Sequence, residues 1–319
     1  MPVLVLLSAA ACSGGSGGAS QGDRLHPKGG DVFLEALTES GPNTFTHSVA
    51  LAPVPAIGVA GTTGGSSTQG LRSIAGTTAG LYGGSGSQQA CDPNAAVASL
   101  LDHDATAQAW VDALNTDSDL TWSGGSKLAA EDITTYVGEL TSVILRNDTR
   151  VTDHAFSGNR SPAFQAVLQH GTAVMVDAQG IPRVRCAAFS PLTPPVPASS
   201  PKYRGTKWDG FDPKKLVAVT SGRTVDSFTV VDIHTGKQID IFVGANCLCD
   251  RTKQGSTTTT STTVDFVNET TTTSKTGRTT TTIRHTTTTA APATTTTHVT
   301  TTTPPTTAPP ATTTTTSGP

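Results

Sequence analysis

Aromatic side chains are scarce in this chain, at 5% of residues, and apolar residues of every kind reach only 35%. A chain of 319 residues has room for two domains, but this shortage leaves material for one compact domain of modest size. The deficit is concentrated at the two ends, where Gly, Ser and Thr dominate, while the middle has an ordinary composition. No run of about 20 apolar residues occurs, so nothing in the sequence is long enough to cross a membrane as a helix. Charge is sparse as well. A formal net charge of −3 gives no electrostatic reason to expect nucleic acid or an anionic membrane surface as a partner. Also missing are G-x-S-x-G, H-E-x-x-H and a Gly-rich phosphate loop ahead of a helix. The Gly-rich segments at 13–18 and 61–86 lack the lysine of such a loop and read as linkers. No catalytic, cofactor-binding or metal-binding residue is assigned on these grounds, and no cofactor is expected.

What is present gathers around residues 141–197, which hold the densest alternation of apolar residues, a central cysteine and a hairpin signal. The runs AVMVD at 173–177 and IPRVRC at 181–186 flank Ala178, Gln179 and Gly180, and a Gly there supplies the positive φ that a tight turn needs. Alternation places Val174 and Val176 on one face, and sets Val184 and Cys186 against Arg183 and Arg185, which read as a solvated face. The following SPLTPPVP reads as an extended connection leaving the sheet, because its prolines cannot donate to a ladder. A second hairpin is predicted over SFTVVDI and QIDIFV, with Gly236 in the turn and Val230, Ile233, Ile239 and Ile241 as apolar positions. It resembles a hairpin of β-propeller blades, but no repeat accompanies it.

Ahead of the first hairpin the spacing changes to helical. Asp92 and Pro93 form a start signal, Val97, Leu100 and Leu101 continue it, and after Asp102-His103-Asp104 the pattern resumes with Ala107, Trp110, Val111 and Leu114. A further stripe, Ile133, Tyr136, Val137 and Leu140, predicts a helix within 128–140. Residues 31–37 and 45–59 read as edge strands or a covering arm, 61–89 as a long flexible loop, and 202–213 as a loop bearing Tyr203, Trp208 and Phe211. The fold class is therefore α+β: an antiparallel sheet of two or more hairpins, two or three helices on one face, and disordered ends.

The ends carry the clues to location. Small residues precede Cys12, and SGGSGGAS follows it, which resembles the lipobox of bacterial lipoproteins. Residues 1–11 are read as a lipoprotein-type signal segment shortened at its start, 12–30 as a Gly/Ser tether, 31–250 as one globular domain, and 251–319 as a Thr/Pro-rich disordered tail. Cys12 is the expected lipid anchor. It would hold the protein to the outer face of the bacterial cytoplasmic membrane, in the cell envelope. The tail has the composition of an O-glycosylated stalk and is expected to carry mannose on Thr, in or across the cell wall.

Four cysteines remain once Cys12 is set aside: Cys91, Cys186, Cys247 and Cys249. An even number in an exported chain argues for two disulfides. Cys91 with Cys186 is favoured because it ties the first helix to the central hairpin. That choice forces Cys247 onto Cys249 in a tight ring, so a crossed pairing stays open, as does a metal site made of the four thiolates. Two functions compete. One is a non-catalytic envelope protein displaying a small binding or structural domain, with a cell-wall glycan or an envelope protein as partner. The other is a secreted hydrolase or metal-dependent enzyme centred on Asp153, His154 and Arg160, with the Asp102-His103-Asp104 run as the other acid/base candidate.

VFLEALTESGPNTFTHSV at 32–49, LYGGSGSQQACD at 81–92, VILRNDTRVTDHAF at 143–156, FQAVLQHGTAVMVDAQGIPRVRC at 164–186, and SPLTPPVP with the later YRGTKWDGF together resemble a family of actinobacterial surface lipoproteins defined by a domain of unknown function. The likeness extends over roughly residues 31–243. Members of that family often place a second cysteine two residues beyond the position of Cys186; here Ala188 stands there. The resemblance implies an envelope location and no activity.

Overall fold

In a computed structural model the described residues are 24–25, 27–51, 66–68 and 71–245. Cys12, Cys247, Cys249, the tether before residue 24 and the 251–319 tail lie outside them. No described helix is long and apolar enough to cross a membrane. The strands are β1 (Asp31–Glu35), β2 (Ser66–Thr68), β3 (Leu71–Ala75), β4 (Tyr82–Gly84), β5 (Thr141–Leu145), β6 (Thr149–His154), β7 (Ala163–Leu168), β8 (Ala173–Val176), β9 (Pro182–Arg185), β10 (Ser190–Thr193), β11 (Lys202–Arg204), β12 (Val217–Thr220), β13 (Ser227–Asp232) and β14 (Gln238–Phe242). The α-helices are α1 (Pro93–Leu101), α2 (Asp104–Leu114) and α3 (Ile133–Glu139), the last preceded by a 3₁₀ turn at Ala130–Asp132.

The α+β class holds, with three helices, but the sheet is larger than two hairpins and is mixed. Its strands run β11-β1-β7-β6-β10-β9-β8-β5-β4-β13-β14, with β12, β3 and β2 branching from β6. Parallel pairs join β1 to β11 and β7, β12 to β3 and β6, and β13 to β4. β1 is no edge strand: all five of its residues are buried between two neighbours. β3 and β4 fall inside the segment 61–89 that reads as a loop. Their side chains give little apolar signal, and long-range pairing with β12, β13 and β5 supplies the order.

β10 is the joint of the architecture. Ser190 and Pro191 pair with Arg185 and Val184 of β9, and then Leu192 and Thr193 pair with Asp153 and Thr152 of β6. One short strand thus passes from one half of the sheet to the other, and the halves fold over each other. Pro191 is tolerated because each half asks for only two residues of pairing. The expectation that this segment leaves the sheet is corrected: only from Pro194 onward does it run over the surface.

Between the halves lies an apolar interior that includes Phe33, Val151, Phe164, Val174, Leu192 and Val217. The helices cover the opposite face of the β8–β9 half, where Trp110, Tyr136, Met175, Val184 and Phe189 pack. Trp110 stacks on Phe189 with centroids 5.8 Å apart and donates its indole N–H to the Phe189 carbonyl at 2.9 Å. That contact holds Phe189 at φ +48, a conformation non-Gly residues seldom adopt. α1 starts as its sequence predicts, with Pro93 in the first turn and the Asp92 carboxylate accepting from Asn94 N–H at 3.2 Å.

Both predicted hairpins form, β8–β9 and β13–β14, with Gly180 at φ +79 and Gly236 at φ +70 in their turns. Gly180 has a second constraint. A Cβ there would come within 2.3 Å of Gly76 backbone, and one on Gly76 within 2.4 Å of Gly180 backbone. The β8–β9 turn therefore packs backbone against backbone on the end of β3, and Tyr82 seals the contact with a 2.6 Å hydrogen bond to the Gly180 carbonyl.

Cys91 and Cys186 are joined in a disulfide across 95 residues, the pairing favoured from the sequence. It fixes the entry to α1 against the end of β9. Removing a crosslink over a loop of this length costs about 2–5 kcal/mol. The Cys91→Ala/Cys186→Ala variant is expected to lose stability in that range in urea unfolding, and an unchanged midpoint would show the bond to be dispensable.

Candidate functional site

β9 contains the largest departure from the sequence reading. Arg183 and Arg185 do not face solvent; each is 1% exposed. Val184 faces the helices, so its neighbours point to the other side of the strand, and that side is the interior between the two halves of the sheet. Alternation was legible, but with both faces covered the polar positions are buried too.

Each of these arginines has carboxylate partners. Arg185 Nη1 lies 3.0 Å from Glu35 Oε2 of β1 and 3.4 Å from Asp153 Oδ2 of β6, and its Nη2 donates to the Glu39 carbonyl. Arg24 adds a second cation, with Nε 2.8 Å from Glu35 Oε1 and Nη2 3.1 Å from Glu39 Oε2. Burial raises the Glu35 and Asp153 carboxyls above their usual values, against the pull of the arginines. Arg183 pairs with Asp117, just beyond α2, and through Nε with Asp177 at 2.7 Å.

A cleft of about 500 Å³ opens beside Arg183. Its apolar wall includes Leu71, Ile181, Val219 and the ring of Tyr203, and its roof is the proline-rich strap at 194–201. Thr152 donates to the Pro194 carbonyl at 2.8 Å, and Val196 N–H donates to Gln165 Oε1 at 2.9 Å, which pins the strap to β6 and β7. The charged lining consists of Arg150, Arg183, Lys214, Asp117 and Asp119. Arg150 stands apart from the other buried arginines. It is 3% exposed and has no carboxylate partner: its Nη2 reaches the neutral oxygens of Gln165 at 3.2 Å and Val196 at 3.4 Å, and its Nε, like that of Arg185, is buried with no hydrogen-bond partner. Burial pushes its pKa down, and the Tyr203 phenol, which accepts a hydrogen bond from the guanidinium, favours the charged form. A second cleft of about 360 Å³ lies across Gln179, lined by Trp122, Tyr136, Glu139 and Asp177.

Residues 72–244 match the family described as a domain of unknown function (DUF6777). The chain belongs to that family. The matched residues take in both disulfide cysteines, Arg150, Arg183 and every cleft residue named above except Leu71, while β1 with Glu35 precedes them. No curated protein and no solved structure matches the chain.

The residues proposed for an enzyme centre do not converge. Asp153 faces the interior, held by Arg185. His154, its neighbour on the strand, points to the other side, its Nδ1 2.9 Å from the Pro191 carbonyl. Arg160 is exposed in the turn that follows, and neither cleft is lined by any of the three. Asp102 and His103 are exposed between α1 and α2, Asp104 is exposed at the first position of α2, and His103 makes no capping bond. The four-thiolate metal site is overturned, because Cys91 and Cys186 are bound to each other. Among the described residues no group of three or more His, Cys, Asp or Glu could hold a metal ion. Sequence reasoning passed over Arg150 altogether. The available signal was its place in TRVTDH, a strand between apolar segments, but a lone arginine there looks like any surface charge.

His154 is useful for a different purpose. Burial lowers its pKa to about 4, so Nδ1–H of the neutral ring donates to Pro191. Since the folded-state value lies below the unfolded one, the stability contributed by the neutral ring is present above about pH 6.5 and lost as pH falls toward 4. The raised Glu35 and Asp153 act in the opposite sense, contributing on the acid side and losing that contribution as pH rises. His154→Asn keeps a donor to Pro191 and removes the titration. Relative to this variant, the native chain is expected to lose about 3 kcal/mol at most between pH 6.5 and 4 in chemical denaturation. Parallel pH profiles would show that His154 titrates normally.

Proposed function

We propose that this chain is a non-catalytic cell-envelope lipoprotein that displays a binding domain outside the bacterial cytoplasmic membrane. The observation that carries the binding role is the cleft roofed by the 194–201 strap, with a buried guanidinium that has no carboxylate partner facing a largely apolar wall. Apolar walls with a few placed polar groups suit a ligand that is held and oriented. The anchoring role rests on Cys12 and its small-residue and Gly/Ser context. The Thr-rich 251–319 segment would extend through the wall as a mannosylated stalk, with a wall glycan or an envelope protein within its reach.

A thioether-linked diacylglyceryl group on Cys12 would hold the domain to the outer leaflet, with residues 13–23 as spacer, since Arg24 is already held by Glu35 and Glu39. In cells fed an acyl probe, the native chain is expected to be labelled and to sediment with membranes, while Cys12→Ser is unlabelled and released. Equal labelling of the two would remove the anchor from this proposal. Hexose on peptides of the tail, read by intact-mass analysis of native material, tests the stalk separately.

A further inference from the structure

Three of the buried or partly buried arginines have two acidic partners each. Arg24 meets Glu35 and Glu39, Arg183 meets Asp117 and Asp177, and Arg185 meets Glu35 and Asp153. Arg150 has none: among the described residues no carboxylate lies within 4.0 Å of its guanidinium. Arginine does not shed its proton in a protein, so this site holds a fixed positive charge with an unmet donor. A buried charge without a counter-charge is costly to the fold.

We infer that the cleft takes a small amphipathic anion, with its carboxylate or phosphate head on Arg150 and its apolar body along Leu71, Ile181, Val219 and Tyr203. This rests on the reading of the cleft as a ligand site and adds the class of ligand. The charges around the cleft set the direction of binding. Asp117 is already held by Arg183, and with Asp119 it makes that end of the cleft unfavourable to a second anion, while Lys214 adds a cation to the lining. The planar guanidinium offers paired donors to two anionic oxygens, and its Nε is the donor left over. At about 500 Å³ the space suits a molecule of roughly ten to fifteen heavy atoms and is too small for a folded partner.

The test is isothermal titration calorimetry of the full chain with decanoate, decyl phosphate and, as the neutral probe, decanol. Decanoate or decyl phosphate is expected to bind at one site per chain, with decanol weaker by at least about tenfold, the worth of a charge-assisted contact. The comparison of decanoate with decyl phosphate decides which head the site prefers. Arg150→Met is expected to lose the anions by the same factor, keep decanol, and unfold at the same temperature or higher, because it removes an unpaired buried charge. Arg150→Gln is the second variant. Its amide keeps a donor toward the strap, so it folds even if the Met variant does not, and it too is expected to lose the anions. If decanol binds as well as decanoate, or if either folded variant binds decanoate like the native chain, the anion assignment is overturned while the cleft remains a ligand site. Failure of all three probes to bind the folded native chain overturns both.

Discussion

Between the two halves of the sheet, in a largely apolar interior, the Arg185 guanidinium is shared by Glu35 and Asp153, and Arg24 closes over Glu35. Removing such ions from water costs several kcal/mol each, and their mutual attraction offsets that only when the geometry is met closely. The consequence is positional. Arg185 lies 150 residues from Glu35 and 32 from Asp153, yet β1, β6 and β9 must be in register for the charges to meet. Apolar side chains would tolerate a slip or a rotation here, whereas this cluster does not. The passage of β10 from β9 to β6 depends on the same arrangement, since its first pair is opposite Arg185 and its third residue is opposite Asp153.

Where β3 meets the β8–β9 turn, contact is made backbone to backbone, with the Tyr82 hydroxyl closing it. Gly76 and Gly180 approach so closely that neither has room for a Cβ, and this brings β3 beside the β8–β9 turn. Ile181 and Arg183 on one side, and Leu71 and Ser73 on the other, become walls of one cleft because of it. The glycine contact thus acts on the site through geometry, well away from any chemistry. The strap makes the third side, anchored by the hydroxyl of Thr152 and the amide of Gln165.

The arginines divide by environment. Arg183 and Arg185 serve the structure, since each is surrounded by carboxylates and hydrogen-bonded on more than one side. Arg150 occupies a strand just as buried, with neutral oxygens in place of carboxylates. The difference between the paired arginines and Arg150 lies in those neighbours, and nothing in the residue type or its local sequence separates the two.

Short-range features were legible from the chain itself. The capping pair Asp92-Pro93, the helical spacing of Val97, Leu100, Trp110 and Leu114, and the Gly180 and Gly236 turns are local devices, each fixed by a few neighbouring residues. The disulfide was favoured correctly because it involves only two residues and a sensible topology. Strand partners were another matter. β1 looked like an edge and β3 like a loop because pairing energy comes from distant strands, and Arg183 and Arg185 looked solvated because a period of two reveals which residues share a face but not what covers that face. The sequence by itself determined the helices, the two hairpins, the class of the fold and the low-complexity ends. Only the tertiary structure decided the mixed sheet, the buried ion cluster and the cleft at Arg150, because each is made where segments far apart in the chain come into contact, and burial is a property of that contact.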